Sequence, residues 1–185
     1  TFRSTEVVAR VREEGAVRLL VSDSPELVDP VVSEPRHIGE TDSRVVRLRV
    51  DGLDPQTRYH WALEVDGRVD LERYGTRRTL PEGPASFTLV AAACARSGSN
   101  GAVFDAIREV DPLVYLQLGD RHYANIGTDK PDRFEAALQQ VLTMPGQAAL
   151  YRSTSIAYVW DDHDYAANDG DSTSPSRPAA EQVYR

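Results

Sequence analysis

Apolar and polar residues alternate along the first eighty positions in the manner of strands with one buried face. The alternation predicts strands over 5–11, 16–22, 44–50, 59–66 and 74–80. It breaks at Glu14-Gly15, Ser22-Asp23-Ser24-Pro25, Asp51-Gly52 and Asp66-Gly67, where turn-forming residues gather. Over 59–65, Tyr59, Trp61, Leu63 and Val65 share one face, expected in the core, and His60, Ala62 and Glu64 share the other. Short strands with turns between them at about eight to twelve residue intervals predict a small all-β sandwich.

The pattern changes at Leu80-Pro81-Glu82-Gly83-Pro84, which cannot continue a sheet ladder. A boundary is therefore expected at 81/82, giving domains 1–81 and 82–185. Residues 87–93 form a continuous apolar run, as in a strand buried on both faces. A helix follows over 102–110, with Val103, Ile107 and Val110 in register, then a strand over 113–118, a helix over 132–142 and a strand over 156–160. Strand, helix, strand, helix, strand predicts an α/β layered domain with a mostly parallel sheet. Residues 169–178 read as a polar loop. The chain opens on Thr1 and closes on a segment resembling the first turns of a helix, so it reads as a piece of a longer protein.

Composition narrows the partners. Lys plus Arg is 21 against 29 Asp plus Glu, a net charge of −8. Nucleic acid as the main partner is disfavoured, since phosphate contacts need a basic face. Bound cations are compatible with such a balance. No apolar run is long enough to span a membrane as a helix. Cys94 is the one cysteine, so no internal disulfide forms. Nothing in the pattern specifies an oligomeric state.

Candidate chemistry falls after the three strands of the second domain. The first is followed by Cys94-Ala95-Arg96-Ser97-Gly98-Ser99, the second by Gly119-Asp120-Arg121-His122-Tyr123, the third by Asp161-Asp162-His163-Asp164-Tyr165. In an open α/β sheet these positions share one edge, where ligands bind. Carboxylates suit hard cations, and imidazole, phenolate and thiolate adjust selectivity. Asp161, Asp162 and Asp164 around one histidine repel one another unless cations or solvent neutralise them. Alternatives stay open. Cys94 is favoured as a ligand by its strand-end position, with a small buried hydrophobe as the alternative and a nucleophile partnered by His163 the remotest. Tyr123 could pack on Ile126, His122 is expected at the surface, and Arg96 could hold a phosphate oxygen or form a surface ion pair. Ser97-Gly98-Ser99-Asn100-Gly101 could cradle phosphate or cap the Val103 helix. Asn168, Asp169 and Asp171 could bind calcium or form a solvated loop.

Two resemblances sharpen this. Leu53-Asp54-Pro55-Gln56-Thr57-Arg58-Tyr59 resembles the tyrosine-corner segment of fibronectin type III domains, with a plain hairpin as the alternative. Leu118-Gly119-Asp120-Arg121-His122-Tyr123 and Trp160-Asp161-Asp162-His163-Asp164 resemble the GDxxY and WDDH(D/E) motifs of PhoD-like alkaline phosphatases, within the calcineurin-like metallophosphoesterases. Ala93-Cys94-Ala95-Arg96 is similar to the small-residue–Cys segment of that family. The resemblance implies a fibronectin III-like sandwich followed by the first half of a metallophosphoesterase α/β domain. It implies hydrolysis of phosphoric esters, mono- or diesters, by a metal-bound hydroxide, with iron and calcium as cofactors and other divalent metals as substitutes. Cys94, Asp120 and Tyr123 would hold iron, Asp120 bridging; Asp161 and Asp162 would be further ligands. His163 would assist the leaving group, with Asp164 orienting it. The parent protein would be exported. Further histidine ligands would come from a later half-sheet, so this chain alone is expected to be inactive. Arg121 and His122 depart from the apolar residue expected between Asp120 and Tyr123. The competing reading is a non-catalytic, calcium-dependent binding module built on the acidic loops.

Overall fold

A computed structural model describes residues 2–39 and 44–184. The chain divides into two compact units, Thr1–Ser86 and Phe87–Arg185. Glu82 lies before this division and still pairs with Arg3 at 2.8 Å.

The first unit is all β. Strands β1 (Ser4–Arg10) and β5 (Val45–Asp51) form an antiparallel pair. A second antiparallel sheet runs β3 (Val31–Val32), β2 (Gly15–Ser22), β6 (Arg58–Val65), β7 (Arg68–Val69), with β4 (Arg36–Ile38) on β2 and β8 (Gly75–Arg78) on β6. One core joins both sheets: Val7, Val46, Leu48 and Val50 meet Val17, Leu19, Val21 and Tyr59. Trp61, Leu63 and Val65 pack on it from the same face of β6 as Tyr59, as alternation requires. The Tyr59 hydroxyl accepts from the Asp54 N–H at 2.9 Å, pinning the arch before β6. Thr79, just after β8 (Gly75–Arg78), closes that arch, donating to the Asp54 carbonyl at 2.6 Å and accepting from the Thr57 N–H at 3.0 Å. Strands β3, β4 and β7 carry too few residues to show alternation, so the pattern did not announce them.

The second unit has a parallel sheet ordered β11 (Ser155–Tyr158), β10 (Val114–Gln117), β9 (Leu89–Ala92). Helices α1 (Val103–Glu109) and α3 (Pro145–Ser153) cover one face, where Phe104, Ile107, Tyr115 and Leu150 form a core with Val90, Ala92 and Ile156. The other face stays open: Leu89 is 47% exposed, Leu118 46% and Val159 56%. The expectation that the 87–93 strand is buried on both sides is thus corrected, because α1 and α3 pack on the Val90 and Ala92 side and leave Leu89 exposed. The buried stripe of α1 is also Phe104 and Ile107, not Val103 and Val110, which are 60% and 55% exposed. Helices α2 (Pro131–Thr143) and α5 (Arg177–Tyr184) build a second cluster from Phe134, Ala137, Ala179, Ala180 and Tyr184, on which Trp160 packs. Proline opens both α2 and α3, where its missing N–H costs nothing. Helix α3 escaped the hydrophobic pattern because its buried residues include Gln147 and Ala148. The 169–178 loop is shortened, since α5 begins at Arg177. Among the described residues no helix is long and apolar enough to cross a membrane.

Candidate metal centre

All three parallel strands deliver their following residues to one edge, and backbone bonds carry the register past the strand ends. Cys94 N–H reaches the Gly119 carbonyl at 3.1 Å, Ala95 N–H the Asp120 carbonyl at 2.8 Å, and Val159 N–H the Gln117 carbonyl at 3.1 Å. Cys94 and Asp120 have φ of 61° and 54° and Gly119 of 100°, so both β9 and β10 end in left-handed turns. A Cβ on Gly119 would lie 2.5 Å from the Asp161 Cβ and 2.8 Å from its nitrogen. Only glycine allows the ends of β10 and β11 to come this close. Gln117, fully buried, braces the turn by donating to the Gly119 carbonyl and accepting from its N–H, both at 2.9 Å.

Behind the third strand, Asp161 caps the single-turn helix α4 (Asp162–Tyr165), its carboxylate accepting from the Asp162 N–H at 2.9 Å. Asp164 is wholly buried. Its carboxylate accepts from the backbone N–H of Asp120 at 2.8 Å, of Asp161 at 3.1 Å and of Arg121 at 3.2 Å. The carboxylate thus fixes the backbone at two strand ends.

In front of this scaffold, Asp120, Asp162 and His163 each offer one ligand atom, all within 4.8 Å of one another. Asp120 Oδ1 and His163 Nδ1 are buried with no hydrogen-bond partner. A buried carboxylate oxygen and imidazole nitrogen left unsatisfied are costly unless something binds them. The donor set therefore fits a cation. Asp162 also accepts from His163 N–H at 2.9 Å and from Asp169 N–H, which holds its carboxylate in place.

Cys94 and Tyr123 flank the cluster. The exposed Cys94 thiol donates to Asp120 Oδ2 at 3.7 Å. Hydrogen bonding to Cys94, then to Asp120, with burial third, pushes the Tyr123 phenol well above its ordinary range. Its ring tilts against His163, with centroids 4.3 Å apart. Ser97 accepts from the Tyr123 N–H at 2.6 Å. The Ser97–Gly101 loop does not cap the Val103 helix; Asn100 caps α3 instead, accepting from the Gly146 N–H at 2.6 Å. Arg96 is exposed and makes no ion pair among the described residues.

His122 overturns its expectation of exposure. It is fully buried, with Nε2 2.8 Å from the Tyr184 hydroxyl, and desolvation lowers its pKa. Asp171 is taken up by Thr173, accepting from its N–H at 2.8 Å and its hydroxyl at 2.6 Å. Gln117 carries no motif that marks it in sequence, and only its contacts bring it into the site. Ser97 and Arg121 stand within the strand-end segments, but their contacts with Tyr123 and Asp164 were not read from them.

The geometry defines a parallel α/β unit with a cation-type cluster at its strand ends, preceded by an all-β unit. A solved structure titled "Structure of PhoD" superposes on 98% of this chain with a TM-score of 0.82 at 17% identity. The chain therefore has the fold of that part of PhoD, and it spans 42% of the PhoD chain. A weaker likeness links 49% of the chain to a sensor domain of the anti-sigma factor RsgI4 of Pseudobacteroides cellulosolvens, at 18% identity, with a TM-score of 0.39. No protein-family model and no curated protein sequence matches the chain.

Proposed function

We propose that this chain supplies the first metal-binding part of a phosphoric ester hydrolase of the PhoD-like type, acting on mono- or diesters. The observation that carries the reading is the cluster of Asp120, Asp162 and His163, with the buried Asp120 Oδ1 and His163 Nδ1 unpartnered, at the ends of three parallel strands. The PhoD-like fold supports it. The all-β unit corresponds in this reading to a fibronectin III-like domain without catalytic residues.

A cation bound here would supply Lewis-acid stabilisation of phosphoryl oxygens and activate water. Asp120 and Asp162 would hold it as anionic oxygens, their mutual repulsion being relieved on binding. Cys94 and Tyr123 would add a thiolate and a phenolate, a donor pair that favours iron over calcium. Asp120 touches the Cys94 thiol and the Tyr123 hydroxyl while belonging to the Asp162–His163 group, which supports its holding metal together with both sets of donors. His163 would donate a proton or a hydrogen bond to the leaving oxygen. Asp164 serves a different part from that implied by the resemblance. Its carboxylate is occupied by three backbone N–H groups, so it orients the strand ends and not the His163 ring. Asp161 acts as the cap of α4. Since the chain spans 42% of PhoD, hydrolysis is a property we assign to the whole protein, with export as the family habit.

Elemental analysis of the whole protein that contains this chain, with hydrolysis of bis(p-nitrophenyl) phosphate, tests this. Expected are iron, with calcium beside it, and turnover abolished by Asp120→Asn or His163→Ala. Cys94→Ser should remove iron. Calcium alone, without turnover and indifferent to Cys94→Ser, would overturn the hydrolase reading in favour of a binding module.

A further inference from the structure

We propose that Arg121 is a positioning residue for the metal cluster, neutralising buried Asp164 so that Asp164 can hold the two strand ends that present the ligands. The inference rests on the metal reading above.

Asp164 is wholly buried, its carboxylate set on the backbone N–H groups of Asp120, Arg121 and Asp161. A buried carboxylate needs a compensating charge, or it gains a proton or drifts toward solvent or a cation. Arg121 provides that charge: its Nε lies 3.6 Å from Asp164 Oδ1, with the arginine side chain 11% exposed. The arginine cannot surrender its proton, so the compensation is permanent. What fixes the guanidinium is mostly aromatic. It lies over the Tyr158 ring at 4.1 Å and the Tyr184 ring at 4.6 Å. Tyr158 ends β11, Tyr184 belongs to α5, and the two are joined by the Tyr158 hydroxyl donating to the Tyr184 carbonyl at 3.2 Å. His122, beside Arg121, bonds the Tyr184 hydroxyl from the same strand end.

The chain of contacts therefore runs from α5 and β11 through Arg121 to Asp164, and from Asp164 to the Asp120 and Asp161 amides. Asp120 is a ligand candidate and Asp161 immediately precedes two more. Arg121 touches no candidate ligand side chain among its described contacts, so its effect on the cluster passes through Asp164. Removing its charge should free the two amides and let Asp120 and Asp162 spread.

The test is Co²⁺ binding by the full chain, followed by absorbance, together with amide hydrogen exchange, for R121M and R121K. R121M should weaken Co²⁺ binding by about tenfold or more, the range seen when groups behind metal ligands are removed. Exchange at Asp120 and Asp161 should accelerate, while Leu150 in α3 keeps its protection. R121K keeps the charge without the planar stack and should fall between R121M and the unsubstituted chain in both readouts. Unchanged affinity in a folded R121M overturns the proposal. So does acceleration of all three amides together, which marks a general stabilising role. If R121M does not fold, R121K decides: faster exchange at Asp120 and Asp161 alone supports the proposal, and uniform or absent change overturns it. Failure of the unsubstituted chain to bind Co²⁺ overturns the metal reading itself, and this one with it.

Discussion

Gly119→Ala should damage this protein far more than the loss of one hydrogen from a glycine implies. The position has φ of 100°, and the added methyl would meet the Asp161 Cβ at 2.5 Å and its backbone nitrogen at 2.8 Å. The backbone conformation alone costs an L-residue about 1–2 kcal/mol. The clash adds a further ~1–3 kcal/mol, because the obstruction includes backbone and cannot rotate away. The sum is about 2–5 kcal/mol, equivalent to a fall in Tm of at least roughly 8 °C for a unit of this size. Gly98→Ala provides the control within the same unit. Its φ is 72°, but the methyl would meet only the Gln140 amide at 2.9 Å, the far end of a flexible side chain. It should therefore show the conformational cost alone, about 1–2 kcal/mol. Urea unfolding followed by circular dichroism measures both, and Co²⁺ affinity should fall only in Gly119→Ala. Equal losses in the two variants, or intact Co²⁺ binding in Gly119→Ala, would refute the claim that the β10–β11 approach builds the site.

Asp164→Asn leaves Arg121 buried without its counter-charge and should cost about 3–5 kcal/mol in chemical unfolding; a loss below about 1 kcal/mol, the scale of a surface pair, would show Asp164 to be dispensable. Tyr59→Phe orphans the Asp54 N–H and should destabilise the first unit by about 1–2 kcal/mol, read from its urea midpoint. His60 is held below its ordinary pKa of 6.5 by burial first and Arg58 second, against the opposing pull of Glu26 and Asp23. Its folded value is depressed, so its contribution to stability is complete above 6.5 and declines as pH falls from there through the folded value. An NMR titration of the His60 ring with a midpoint above 6.5 would contradict this.

Much of the fold was legible because period-two alternation and turn residues are local. The five strands read over residues 5–80 each end within two residues of an observed strand, ordinary end fraying. The α1 face was misjudged by one position, since Val103 and Phe104 are both apolar and only packing against α3 selects Phe104. His122 was misplaced for a related reason: a polar residue at a strand end reads as exposed until Tyr184, 62 positions on, arrives to bond it.

Three strand ends rich in Asp, His, Cys and Tyr were determined by the sequence itself, because ligand chemistry is a property of side-chain type and the turn residues fix where each strand stops. Which of those residues converge was decided by tertiary structure alone. Asp161, Asp162 and Asp164 are chemically alike and nearly adjacent, yet one caps a helix, one joins Asp120 and His163, and one disappears beneath them to hold the backbone. That division follows from the direction in which a single helical turn sends each side chain and from how close Gly119 lets the neighbouring strand end approach. The cap at Asp161 is local, a bond to the adjacent Asp162 N–H, but what separates Asp162 from Asp164 is their contact with Asp120 and Arg121, more than forty positions back, which no local pattern encodes.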